Sequence, residues 1–174
     1  MISSELAIGR EWLAIRVKSN FEKCVSVSIR GKSIEEFLPT YVRGRNERTQ
    51  SEIRGPLFPG YLFCRPDYQE RLKVLKIPGV LGFVGSGKQA IPVLEEEICA
   101  IQKMLESCLP VWPCPFLRVG ERIRLKEGPL CGLEGCVLSI KDSWQIVVSL
   151  TLLQRSVAVP VDPSWIAAAP RGCP

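Results

Sequence analysis

The 174-residue chain is 46% hydrophobic and 24% charged, enough to bury one good core or two small ones but little more. Its net charge of +5, from 23 basic and 18 acidic residues, is too mild for a dedicated nucleic-acid clamp, yet it favours contact with polyanions over repulsion. Histidine is absent, which removes the commonest general base, and no apolar run approaches the roughly 18 residues of a membrane span.

The acidic residues fall in runs such as Glu95-Glu96-Glu97, the usual look of a solvated helix start, rather than as isolated carboxylates in apolar surroundings. The eight cysteines (24, 64, 99, 108, 114, 131, 136 and 173) contain no CxxC pair, and no histidine exists to complete a mixed zinc site. Several stand among apolar neighbours, as in Phe63-Cys64 and Ile98-Cys99, where a free cysteine acts as a small hydrophobe. The expectation is a cytoplasmic, soluble protein with reduced cysteines and with no catalytic residues, metal or cofactor.

In chain order, Ile15 and Val17 alternate with Arg16 and Lys18, as in a half-buried strand that opens at Trp12. Asn20 stands where a helix cap belongs. Phe21, Cys24, Val25 and Ile29 then recur at helical spacing, and Gly31 supplies a stop. Residues 34–42 read as extended, broken by Pro39 at an edge strand or bulge. Residues 43–52 are polar without an apolar face, which predicts an exposed, mobile loop. Past Pro59-Gly60, Tyr61 to Cys64 are strand formers. Asp67 can cap a helix through Leu72 and Leu75 that ends at Pro78-Gly79. Val80 to Val84 form another strand, and Gly85-Ser86-Gly87-Lys88 reads as a hairpin turn, since it lacks the upstream glycine and following helix of a phosphate loop. Leu94, Ile98, Ile101 and Leu105 mark one face of a last helix.

This order is the split βαβ of a ferredoxin-like α/β sandwich with an antiparallel sheet, an α+β fold assigned to residues 1–109. Three prolines in Pro110-Val111-Trp112-Pro113-Cys114-Pro115 exclude helix and central strand, so residues 110–116 are expected to be a stiff linker. Basic residues 122, 124 and 126 then alternate with Ile123 and Leu125. Strand-like runs at 136–140, 145–150 and 156–161 follow, so residues 117–174 are expected to form a small SH3-like β-barrel. Its Val and Ile content favours strands, and no helical alternative is expected.

Trp12, Phe58-Pro59-Gly60-Tyr61, Pro78-Gly79-Val80 and Gly82-Phe83-Val84 stand in the order and spacing of a NusG N-terminal domain. Val119-Gly120-Glu121, Gly128-Pro129-Leu130 and Leu133-Glu134-Gly135-Cys136-Val137 follow the pattern of a KOW motif. The chain thus resembles the NusG family of transcription elongation and antitermination factors over about residues 11 to 167. The Arg54 to Tyr61 run looks more like the operon-specific paralogues than the general factor.

The resemblance implies an N-terminal domain that docks on the clamp helices of the bacterial RNA polymerase β′ subunit through an aromatic-lined hollow. The matching positions are Phe58, Tyr61, Phe63 and Phe83, with Trp12 nearby. Tyr61 and Phe63 share one sheet face, but alternation does not choose which; they could equally form the core, with Leu62 and Cys64 outward. Arg16, Lys18 and Lys23 lie where relatives approach the non-template DNA strand, or they form an ordinary solvated basic face. Arg43, Arg45, Arg48 and Arg54 have a weaker claim, being diluted by Glu47 and Glu52. Leu152, Leu153 and Arg155 match the barrel loop that in general NusG proteins contacts a ribosomal small-subunit protein or the termination factor Rho; the leucines could equally be barrel core. The competing class of function is a KOW-containing RNA-binding or ribosome-associated protein, for which a denser basic surface than +5 would be expected.

Overall fold

A computed structural model describes residues 10–86, 89–114, 121–140 and 143–167. The chain opens with strand β1 (Leu13–Val17), helix α1 (Glu22–Arg30), β2 (Glu35–Phe37), β3 (Thr40–Arg45), β4 (Glu52–Pro56) and β5 (Tyr61–Arg65). A 3-10 turn, Tyr68–Glu70, leads into α2 (Arg71–Leu75), followed by β6 (Val80–Phe83), β7 (Gly85–Ser86), β8 (Gln89–Ala90) and α3 (Glu95–Glu106). The C-terminal part holds β9 (Trp112–Cys114), β10 (Glu121–Leu125), β11 (Glu134–Ile140), β12 (Ser143–Leu150), β13 (Arg155–Pro160) and β14 (Ile166–Ala167), with a second 3-10 turn at Pro163–Trp165.

β2, β5, β1 and β6 lie side by side in that order, all antiparallel, which is the ferredoxin-like topology expected. One face of this sheet is packed by helices. Ile15 and Val17 of β1 and Leu62 and Cys64 of β5 meet Val25 and Ile29 of α1, Val74 of α2 and Ile77, all buried. The C-terminal strands form a six-stranded antiparallel sheet in the order β14-β10-β11-β12-β13-β9, with Ile146, Val147, Val157, Ala158 and Val159 fully enclosed. The described residues divide into two compact units: those up to 38 together with 59–95, and 39–58 together with 96 onwards.

Several local expectations are corrected. Asn20 does not cap α1: its own backbone is left-handed, at φ 67, and Phe21 occupies the cap position with no side-chain hydrogen bond. Asparagine is among the few residues that tolerate that conformation, so it serves the turn instead. Gly31 does end α1, as expected, though in a right-handed conformation, and Ser33 takes the left-handed turn at φ 59. On the last helix Met104 is buried while Leu94 is exposed, so the inward stripe is Ile98, Ile101 and Met104.

The polar stretch expected to be a mobile loop lies within a β-hairpin, since β3 pairs with β4 from Thr40↔Pro56 to Arg45↔Glu52. Within the stretch expected to be a linker, Trp112–Cys114 pairs with β13. Pro113 is tolerated there because β9 is an edge strand with a neighbour on one side only. The proposed turn at residues 85–88 is flanked by the pairs Gly85↔Ala90 and Ser86↔Gln89; Gly87 and Lys88 themselves lie outside the described residues.

The cap at Asp67 is present. Its backbone N–H donates to Glu70 Oε2 at 2.9 Å in a capping box, and its carboxylate takes a bidentate pair of hydrogen bonds from Arg10, each 2.8 Å. The guanidinium of Arg10 holds the Asp67 carboxyl below the usual aspartate range.

Candidate functional site

Because Leu62 and Cys64 belong to the helix-side core, Tyr61, Phe63 and Arg65 point to the far face of the four-stranded sheet. Cross-strand partners share a face, so Phe37 and Ala14, opposite Phe63, and Arg16, opposite Tyr61, point the same way. The rings of Phe37 and Phe63 are 6.1 Å apart, and Trp12 meets Phe37 edge-on at 6.5 Å, building one aromatic cluster.

That cluster is framed by charge. The Arg65 guanidinium lies 5.6 Å above the Trp12 ring and pairs with Glu95 at 2.6 Å; the same carboxylate accepts the Trp12 indole N–H at 3.3 Å. Two of the expected aromatic residues are therefore a foundation rather than a surface. Trp12 is 3% exposed and Phe63 fully buried, while Tyr61 and Phe37 are only half-buried. Phe58 is also buried, and Phe83 packs against the helix-side core opposite Ile15, on the other face from Tyr61. Phe37 was missed by sequence reasoning although the signal existed: Glu35 and Phe37 alternate with the half-buried Glu36, whose carboxylate accepts the Ser26 hydroxyl at 2.8 Å on the helix side.

The turn that presents Tyr61 is fastened from two sides. The Gly60 N–H donates to the buried Glu22 carboxylate at 2.8 Å, and the Gly60 carbonyl accepts the Val17 N–H at 2.9 Å. Gly60 sits at φ +82, where a side chain would be strained. Glu22 is the first residue of α1, so the start of that helix and the Pro59-Gly60 turn are one structural unit.

Arg16, Lys18 and Lys23 are exposed, and among the described residues none is in an ion pair. Arg16 shares the Tyr61 face, while Lys18 and Lys23 flank the loop into α1. A shallow cavity of about 370 Å³ lies between the ends of α1 and α2, lined by Lys32, Lys73 and Lys76 with Ser28, Gly31 and Pro78, and with no acidic residue. Sequence spacing could not have found it, because its cations come from different elements.

In the C-terminal sheet domain, Leu152 and Leu153 are half-buried in the turn between β12 and β13, and Arg155 is exposed. They are neither free surface nor sealed core. The turn is held by the Thr151 N–H, which donates to Glu97 at 3.2 Å, and by a left-handed Gln154 at φ 51. Among the described residues no group of Cys, Asp or Glu is arranged to hold a metal ion. Burial pushes the Cys64 thiol up to about 12 and that of Cys114 to about 11, so neither is a ready nucleophile.

Comparison with known proteins agrees with this architecture. The family profile described as "Transcription termination factor nusG" matches residues 10–102. The transcription termination/antitermination protein NusG of Thermus thermophilus is 28% identical over 182 residues, covering 91% of this chain and 98% of that protein. Those of Borreliella burgdorferi and Staphylococcus aureus are 25% and 29% identical, covering 89% and 91% of this chain and 96% of each relative. A solved structure titled "Domain interaction in Thermotoga maritima NusG" superposes with a TM-score of 0.56 at 24% identity, over 92% of this chain and 97% of that one, and shows the same fold.

Proposed function

Since the chain belongs to the NusG family of transcription termination and antitermination factors, we propose that it docks its N-terminal domain on the clamp helices of the bacterial RNA polymerase β′ subunit and promotes processive elongation in the cytoplasm. Members of this family are non-catalytic transcription factors, and this chain is not an enzyme. The observation that carries the docking reading is the far face of the four-stranded sheet. The half-buried Phe37 packs there against Trp12 and Phe63, and the half-buried Tyr61 and the exposed cation Arg16 share that face. Half-exposed rings fixed from beneath lose little freedom on binding, which suits them to act as anchors for a helix pair.

Arg16, Lys18 and Lys23 contact the phosphates of the non-template strand in this reading. Leu152, Leu153 and Arg155 serve the second domain's partner, Rho or a ribosomal small-subunit protein. The Arg54 to Tyr61 run supports a specialised, operon-specific antiterminator.

The direct test is binding of the purified chain to bacterial core RNA polymerase, compared with Tyr61→Ala. Phe63 is unsuitable, because truncating a fully buried phenylalanine costs about 3–5 kcal/mol of stability and would confuse unfolding with lost contact. Tyr61→Ala is expected to keep its thermal transition and to weaken binding by at least about tenfold. Unchanged affinity in the folded variant would remove the far face as the docking site.

A further inference from the structure

The tip of the β3–β4 hairpin has no part in the polymerase docking above, and its arginines, given the weaker claim from sequence, stand apart from Arg16, Lys18 and Lys23. Every residue from 42 to 54 is exposed, so both faces of this two-stranded ribbon meet solvent. Such a ribbon gains little stability from its own packing, and a two-faced exposed one is suited to insertion rather than to burial in a core.

The charge on it is unequal. Arg54 is paired with Glu52 at 3.2 Å, and the stem of Arg43 lies where a Cβ on Gly55 would be, whereas Arg45 and Arg48 have no ion-pair partner among the described residues. The tip is ordered by its own hydrogen bonds. Asn46 Oδ1 accepts the N–H groups of Arg48 at 2.9 Å and Thr49 at 3.3 Å, and the Asn46 carbonyl accepts the Gln50 N–H at 2.8 Å. Arg48 is thereby presented on a fixed turn, between the exposed Glu47 and the uncharged polar side chains of Thr49 and Gln50; four arginines against Glu47 and Glu52 leave the hairpin with an excess of two positive charges.

We propose that this hairpin is a docking element for double-stranded DNA, entering the major groove as a ribbon with Arg45 and Arg48 on the flanking phosphates. A B-form major groove, about 12 Å wide, admits a two-stranded ribbon, whereas the deep, narrow major groove of double-stranded RNA does not. Guanidinium groups match phosphate oxygens in pairs. Arginines present only to blunt the open edges of the ribbon against other strands would have no effect on DNA affinity, so the two roles separate by experiment. The inference does not rest on polymerase docking, and its test contains no polymerase.

The experiment is fluorescence anisotropy of the full chain with a labelled DNA duplex of about 20 base pairs, across a series of salt concentrations. The same sequence as a single strand and as an RNA duplex serves for comparison. The variant is the double substitution Arg45→Gln, Arg48→Gln, which leaves the tip backbone and the Arg54–Glu52 pair in place. Wild-type protein is expected to bind duplex DNA more tightly than either comparison. The double variant, with an unchanged thermal transition, is expected to bind at least about tenfold more weakly at low salt, and the slope of log affinity against log salt should fall by about 2, near one per lost phosphate contact. Absence of duplex binding at low salt, a preference for the single strand or RNA duplex, or a variant with wild-type affinity and slope would each overturn the proposal.

Discussion

Glu22 shows how one side chain sets the geometry of a distant turn. Its carboxylate is buried at the start of α1 and accepts the Gly60 N–H, so Glu22→Ala leaves a buried backbone donor without its acceptor. The expected cost is about 1–3 kcal/mol in urea unfolding, with Glu22→Gln less affected because its amide oxygen can still accept. A full loss of stability change in both variants would mean that the turn is held by the Val17 contact alone. Asp67 makes a second residue-scale argument, with a pH sign. The hydrogen bonds from Arg10 lower its native-state pKa, so the stabilisation is present at neutral pH, above the unfolded value, and is lost as pH falls through the native one. Thermal transitions of wild type and Asp67→Asn should therefore differ at neutral pH and draw together as the solution is acidified. Curves that stay parallel into strong acid would remove the pair from the pH dependence. Glu22 itself was legible only as a charged residue in a helix's first turn, because its acceptor role depends on Gly60, 38 positions away.

At the scale of elements, legibility followed periodicity. Alternation marked β1, and a run of strand-forming residues marked β5; what the pattern left open, the face of Tyr61, was decided by the helices, which cover Leu62 and Cys64. The β3–β4 hairpin has solvent on both faces over 42–54, so the period-2 signal that announces a strand never arises, and it read as a loop. β9 was hidden by its proline, which bars a central strand but not an edge. The stop after α2 was clearer than its cause. Gly79 sits at φ +95, and a Cβ there would come within 2.5 Å of the Phe21 ring, so the turn needs glycine for conformation and for space. Gly79→Ala should accordingly destabilise by about 1–3 kcal/mol, more than a surface glycine substitution, as read from the denaturation midpoint. The candidate site was half legible on the same grounds. That Tyr61 and Phe63 share a face was legible, but which face it is, the depth of Trp12, Phe58 and Phe63 and the inward turn of Phe83 depend on what packs over each ring, which local sequence does not encode.

For the molecule as a whole, the cysteines supply a built-in record of which unit opens. Cys24, Cys99, Cys108 and Cys131 are exposed, while Cys64 is fully buried in the first unit with its thiol pushed up to about 12. Cys114, half-buried in the second unit on edge strand β9, stands between these extremes, its thiol raised to about 11. The thiolate is the reactive form, so at neutral pH alkylation should be fast at the four exposed positions, slower at Cys114, and at Cys64 limited by opening of the four-stranded sheet. Pulse alkylation across a urea series, read by mass spectrometry of peptides, resolves the positions. Cys64 is expected to become reactive with the loss of the ferredoxin-like core, whereas Cys114 requires only fraying of an edge strand and should label at lower denaturant. Labelling of Cys64 in native buffer at the rate of Cys24 would contradict this, since it would require the central strand β5 to be open in the folded protein. Simultaneous protection loss at Cys64 and Cys114 would instead join the two units in a single cooperative transition, with β9 as firmly held as the central sheet.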